Sequence, residues 1–197
     1  MIDNCFEVID AHCHVYPDKI AKVAVKGTAD FYGISTAADG TVKGLIDIGN
    51  NAGIDHFIVQ SVATTPHQVQ SINNFIANEV ALHPDRLIGL GALHPNSEDI
   101  KADVFHILEL GLKGVKLHPD IQRFKIDDPK CATIYSLCQK YKLPVLMHTG
   151  DYRYDFSNAN RLVPVLDEFD DLTVIGAHFG GWSVWDCLLY TSDAADD

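Results

Sequence analysis

The chain alternates short, almost continuously apolar runs with longer stretches whose apolar residues recur every three or four positions. Runs such as IGLGAL, PVLM and TVIGA lack the in–out alternation of a half-exposed strand. Strands covered on both faces read this way, so a parallel sheet is expected. Six strands follow: FEVIDAH, HFIVQSVA, RLIGLGALH, KGVKLH, LPVLMHT and LTVIGAH. They recur every 25–35 residues or so, roughly the spacing of repeated βα units. Between them, Thr41 is placed to cap a helix over Val42–Ala52, with Gly53 at its left-handed end. Pro66 opens a helix reaching about His83, with Val69, Ile72, Phe75, Ile76 and Val80 on one face. Ser97 is the expected cap of the next helix, which ends at Gly111. Further helices are expected over Pro129–Lys142 and over residues 158–169. The segment Val15–Gly40 is rich in Gly, Ala and Asp and shows no regular period, so it reads as an irregular lid after the first strand.

The fold class is therefore α/β. The rival to a βα barrel is an open doubly wound sheet, but no Gly-rich phosphate fingerprint follows the first strand.

Composition changes this picture little. The 197 residues are 47% hydrophobic and 21% charged, with a formal net charge of -12. That balance suits a folded, soluble domain. It argues against a nucleic-acid partner, and no apolar run is long enough for a membrane span, so a cytoplasmic location is expected. The five cysteines form no Cys-x-x-Cys pair and read as free thiols, with Cys131 and Cys138 on the apolar face of one helix.

The histidines carry the chemistry. His12 and His14 close the first strand, His94 the third, His118 the fourth, His148 the fifth and His178 the sixth. In a parallel βα barrel the C-terminal strand ends open onto one face, so these side chains converge there. Residues i and i+2 of a strand share a face, so His12 and His14 present two imidazoles to one metal while Cys13 turns the other way. Asp10, two residues earlier on the same face, either orients His12 or accepts a backbone hydrogen bond. His56, at the start of the second strand, reads as structural, and His67, His83 and His106 as helix-surface residues without a role.

The stretches IDAHCH, GLGALHP, GVKLHPDIQRF, PVLMHTGD and TVIGAHFGGW, in this order, resemble the amidohydrolase superfamily. The similarity is to its amidohydrolase-related branch of lactonases, other hydrolases and non-oxidative aromatic-acid decarboxylases. It implies a (β/α)8 TIM-type barrel, of which about six βα units are visible, with residues 1–186 as a partial barrel. The final CLLYTSDAADD has no cap or amphipathic period, and residues 187–197 are expected to be a non-native tail. The resemblance also implies a metal held by His12, His14 and His148, with His178 as the catalytic histidine. One divalent metal, zinc, is expected. The family's aspartate after an eighth strand has no counterpart here, and Asp186 is in the wrong place to replace it. Lys116 sits where some relatives carry a carboxylated lysine bridging two metals, though a salt bridge inside the barrel is the preferred reading. His118, Asp151 and Arg153 are placed to line a substrate pocket. Arg123 and Arg153 are either carboxylate clamps or solvated loop residues. The activity implied is hydrolysis of a C–N or C–O bond in a small molecule, such as a carboxylate, by metal-activated water. The alternatives are decarboxylation of an aromatic or unsaturated acid, and an inactive fragment.

Overall fold

The structure, a computed structural model, describes residues 6–185; Asp186, Cys187 and the proposed tail lie outside them. Strand β1 (Ile9–His14) is followed by helices α1 (Asp18–Tyr32) and α2 (Val42–Ala52), then β2 (His56–Gln60) and α3 (Val69–Leu82). Next come β3 (Leu87–Gly89), β4 (Gly91–Ala92), α4 (Ile100–Glu109), β5 (Val115–Leu117) and α5 (Pro119–Gln122). Helix α6 (Ala132–Tyr141), β6 (Val145–Met147), α7 (Leu162–Glu168) and β7 (Val174–Gly176) complete the order. No helix among the described residues is long and apolar enough to cross a membrane.

Two sheets form, β1-β2-β3 and β4-β5-β6-β7, and within each every strand pairs parallel with the next one in sequence. Only Leu90 separates β3 from β4. Its N–H donates to Val59 of β2, whereas the N–H of Gly91 donates to Gly114 beside β5. The third expected strand is thus one chain segment that changes partner at a bend. A strictly sequential order has no switch point, which rules out the doubly wound alternative. It is the order of a βα barrel opened between β1 and β7.

The main core lies between strands and helices. Val59, Val115, Leu117, Val145 and Met147 point outward onto Ile76, Val104, Ile107, Ile134 and Cys138. The inward parity carries a small apolar layer, Leu90, Leu146 and Ala177 against Ile58. In register with Leu146 stands Lys116, so polar residues take over the inner face above that layer. Helix α2 approaches closely because Gly49 has no side chain: a Cβ there would lie 2.1 Å from Phe57 Cζ.

Three local expectations are corrected. Val15–Gly40 is not irregular, since α1 occupies fifteen of its residues. Ile20, Ala24, Gly27 and Phe31 recur at helical spacing and face one cavity, but two of these four are too small to register as an apolar period. The cap of α4 is Asp99, whose carboxylate accepts the Ala102 N–H at 2.9 Å, while Ser97 Oγ is buried without a partner. The stretch after residue 158 begins with a 3-10 turn over Ala159–Arg161 before α7. Thr41 caps α2 as expected, and Gly53 takes the left-handed conformation. Cys13, Cys131 and Cys138 are buried free thiols.

Candidate metal centre

Inward parity builds the site. On β1, His12 and His14 face inward while Cys13 is buried in the sheet–helix layer. On β5 the same parity runs from Lys116 to His118, and on β6 from Leu146 to His148. Gln122 ties the strand ends together: its side chain donates to the carbonyls of Ala63 and Leu93 and accepts from the His118 N–H. His178 is set differently. It and Phe179 have φ of 58° and 56°, a conformation rare for bulky residues, in the turn after β7. That turn is held to β6 through Thr149, whose carbonyl accepts the Trp182 N–H.

The imidazoles meet. His12 Nε2 and His14 Nε2 are 3.2 Å apart. The His178 ring centroid lies 5.1 Å from those of both His12 and His148, and His148 stacks on His118 at 4.0 Å. Lys116 Nζ is 3.1 Å from His12 Nε2. Asp120, on the first turn of α5, reaches His148 Nε2 at 3.5 Å through Oδ2. His118, Asp120 and His148 bring ligand atoms within 4.8 Å of one another.

Burial sets the charge states. It holds His12 and His148 down to about 3, and His14 well below the usual histidine range, with the Lys116 ammonium adding in each case. These rings are neutral at pH 7 and present lone pairs. Burial pushes the Asp120 carboxyl up to about 6, and Asp151 nearby adds to this. Both Asp120 oxygens are buried without a hydrogen-bond donor.

Buried acceptors turned on one another are costly unless a donor or cation meets them. Two nitrogens on a tetrahedral metal with bonds near 2.1 Å stand about 3.4 Å apart, close to the His12–His14 spacing. The donor set fits a divalent cation.

The remaining expected residues divide. Asp151 is fully buried and held by Arg153, which bonds both of its oxygens; the guanidinium also donates to the Phe31 carbonyl. Arg153 therefore closes the end of α1 onto β6. Arg123 is exposed in a left-handed cap and does not line the cavity. Asp10 is exposed and accepts the backbone N–H of His12 at 3.2 Å, so it takes the backbone role, not the imidazole one. Lys116 is 1% exposed, but among the described residues no carboxylate forms an ion pair with it; its ammonium faces His12 instead of the expected salt bridge. His94 is buried and its Nδ1 accepts the Asn96 N–H, apart from the cavity.

Sequence reading did not find Asp120 and Tyr32. Asp120 follows His118 by two residues, a signal that was present in HPD. Tyr32 lay in the segment taken as irregular; its hydroxyl is 2.6 Å from His118 Nε2. Both aromatic residues ending α1, Phe31 and Tyr32, join Trp182 and the imidazoles in a cavity of about 1030 Å³ that extends between α1 and α3.

Comparison with known proteins adds to this geometry. Residues 9–188 match the amidohydrolase family. A 2-amino-3-carboxymuconate-6-semialdehyde decarboxylase from Dictyostelium discoideum is 33% identical over 81 residues, 40% of this chain and 23% of that protein. The matched segment thus spans under a quarter of that relative. A TIM-barrel protein from Bordetella bronchiseptica superposes with a TM-score of 0.71 at 21% identity, covering 96% of this chain and 72% of its own. A 5-carboxyvanillate decarboxylase from Novosphingobium aromaticivorans, solved with manganese and 4-hydroxy-3-methoxy-5-nitrobenzoic acid, gives 0.72 at 17% identity, covering 97% and 70%. These likenesses show the barrel fold.

Proposed function

The chain belongs to the amidohydrolase family, and from that premise we propose that it decarboxylates a small aromatic or unsaturated carboxylic acid with the help of one divalent metal. The observation that carries this reading is the convergence of His12, His14, His148 and His178 at one end of a cavity walled by Phe31, Tyr32 and Trp182, with the Lys116 ammonium against His12. An aromatic wall beside a cationic and metal-binding end suits a flat, conjugated acid. The decarboxylases among the relatives support the same class.

His12, His14 and His148 would hold the metal, with Asp120 as the carboxylate at hand. A metal there would bind and orient the acid's oxygens and supply positive charge beside the conjugated system that takes up the electron pair. Loss of carbon dioxide leaves an electron pair on carbon, and a proton must replace the lost group. His178 stands beside both His12 and His148 and would pass a proton from solvent to that carbon. Zinc is the metal we assign, because three imidazoles and one carboxylate form a nitrogen-rich set. Manganese, present in the Novosphingobium structure, is the competitor, and metal analysis of the purified protein separates them. Three buried free thiols accord with a reducing, cytoplasmic location.

A second reading, hydrolysis of a C–N or C–O bond, is favoured by Asp120. A carboxyl that burial raises to about 6, against the lowering effect of Ser157 beside it, has the affinity for protons that a general base needs near neutrality. The two reactions differ in their products. Aromatic and unsaturated acids labelled with 13C in the carboxylate should release labelled carbon dioxide. Incorporation of 18O from water into the product, without that release, would establish hydrolysis instead. Metal-loaded protein that does neither would count against both readings.

A further inference from the structure

Tyr32 precedes His118 by 86 positions in the chain and His148 by 116, yet α1 delivers its hydroxyl to both rings. The short contact, 2.6 Å to His118 Nε2, has a direction that can be derived. His118 Nδ1 accepts the backbone N–H of Ile121 at 3.3 Å, where the residue caps α5. A backbone amide only donates, so Nδ1 carries a lone pair. The ring's one proton is then on Nε2, and the Tyr32 oxygen must be its acceptor. The tyrosine's own proton is left over. Its nearest protein acceptors are the His148 nitrogens at 3.4 and 3.5 Å, longer than the ~2.8 Å of a well-formed O–H bond.

The ring bearing this proton is fixed on several sides. Phe31 meets it edge-on at 4.9 Å, Trp182 lies 4.8 Å away and the Arg153 guanidinium sits 5.5 Å over its face. Burial also keeps the phenol protonated well above its ordinary range. A fixed, neutral donor facing a cavity needs no reorganisation when an oxygen arrives.

We propose that Tyr32 is a substrate-binding residue whose O–H donates to a carboxylate oxygen of the substrate, with His118 as the positioning residue that holds the tyrosine oxygen. The proposal rests on the small-acid reading above. It also removes His118 from the metal's ligand set, since both of its nitrogens are engaged, and leaves His12, His14, His148 and Asp120.

Two measurements on the full, zinc-loaded chain test this. Nitrogen-15 NMR of the imidazoles should show His118 as the Nε2–H tautomer in the wild-type protein. Calorimetric titration with 4-nitrobenzoate should show that Tyr32→Phe, which keeps the ring and removes only the hydroxyl, weakens binding about 10- to 100-fold. Thermal unfolding of the variant should stay cooperative, with a modestly lower midpoint because the buried His118 Nε2–H loses its acceptor. An Nδ1–H tautomer for His118 would overturn the proposal without any variant, because the hydroxyl would then be spent on His118. Equal 4-nitrobenzoate affinity in wild type and Tyr32→Phe would sink the role of Tyr32 alone. A wild-type protein that binds no 4-nitrobenzoate would bring down the small-acid reading and this proposal with it.

Discussion

Lys116 is held far from its ordinary chemistry. Its ammonium is buried, faces His12 Nε2 at 3.1 Å and is pushed down to about 7 by burial. Below about pH 7 it is charged in both the folded and unfolded states, and the folded state bears the full penalty. Between about 7 and its unfolded value of 10.5 the unfolded chain binds more protons, so stability rises with pH through that window. In metal-free protein, Lys116→Met should therefore be more stable than wild type at pH 6, by on the order of 3 kcal/mol, with the difference fading by pH 10. Urea unfolding at several pH values measures this; parallel pH profiles would show that the lysine is not strained. The imidazoles give a second expectation. His148→Ala removes a ring next to His178, His118 and Asp120, and should lower zinc affinity at least 10-fold by competition against a chelator. The inward run of His12, His14, Lys116, His118 and His148 was legible in the sequence, because period two on a strand is a rigid rule. Tyr32 was not, because its contact depends on how a helix end lies across the barrel mouth; Asp120 carried a signal in HPD, but its approach to His148 depends on the short turn of α5.

At the scale of elements, α1 is the part the sequence concealed. Its inner stripe includes Ala24, Gly27 and Thr28, which carry little apolar signal, and no side chain caps its start at Pro17. Tertiary contacts hold it instead. Arg153 donates to the Phe31 carbonyl, one of the last carbonyls of the helix and so without a partner inside it, while its other nitrogens bind Asp151. Burial alone would raise the Asp151 carboxyl, yet the Arg153 hydrogen bonds bring it below its ordinary value. The pairing thus stabilises the fold above about pH 4 and is lost as pH falls through the folded value. Arg153→Met keeps the stem and removes the donors, stranding a fully buried carboxylate. Because the guanidinium is partly exposed, the expected cost is about 2 kcal/mol, at the low end for such a pair. Hydrogen exchange should quicken first at residues 28–33; uniform loss of protection would mean that the clasp is not local. Helix α2 shows the opposite case, with Thr41, Gly53 and its period all legible. Only the role of Gly49 needed coordinates: Gly49→Ala should cost about 1–3 kcal/mol in denaturant unfolding, since Phe57 fills the space a methyl would take.

For the whole molecule, the order of the units was legible because each strand is buried on its outer face and pairs with its sequence neighbour. The bend at Leu90 was not, since an unbroken apolar run gives no sign that pairing passes from β2 to β5 there. Among the described residues the outer edges of β1 and β7 have no strand partner, and Ile9 and Ile175 are each 49% exposed beside them. Unpaired edges with apolar neighbours invite association. A net charge of -12 opposes it at low ionic strength, and salt screens that repulsion. The two effects predict a specific dependence: sedimentation velocity should show the protein largely monomeric in dilute buffer and increasingly associated as salt is raised. Ile175→Lys places a charge at the open face and should shift the association to higher protein concentration at every salt level. Association that weakens with salt would instead point to paired charges between molecules. A monomer at all salt concentrations that also unfolds cooperatively would show that the open side of the barrel is not adhesive.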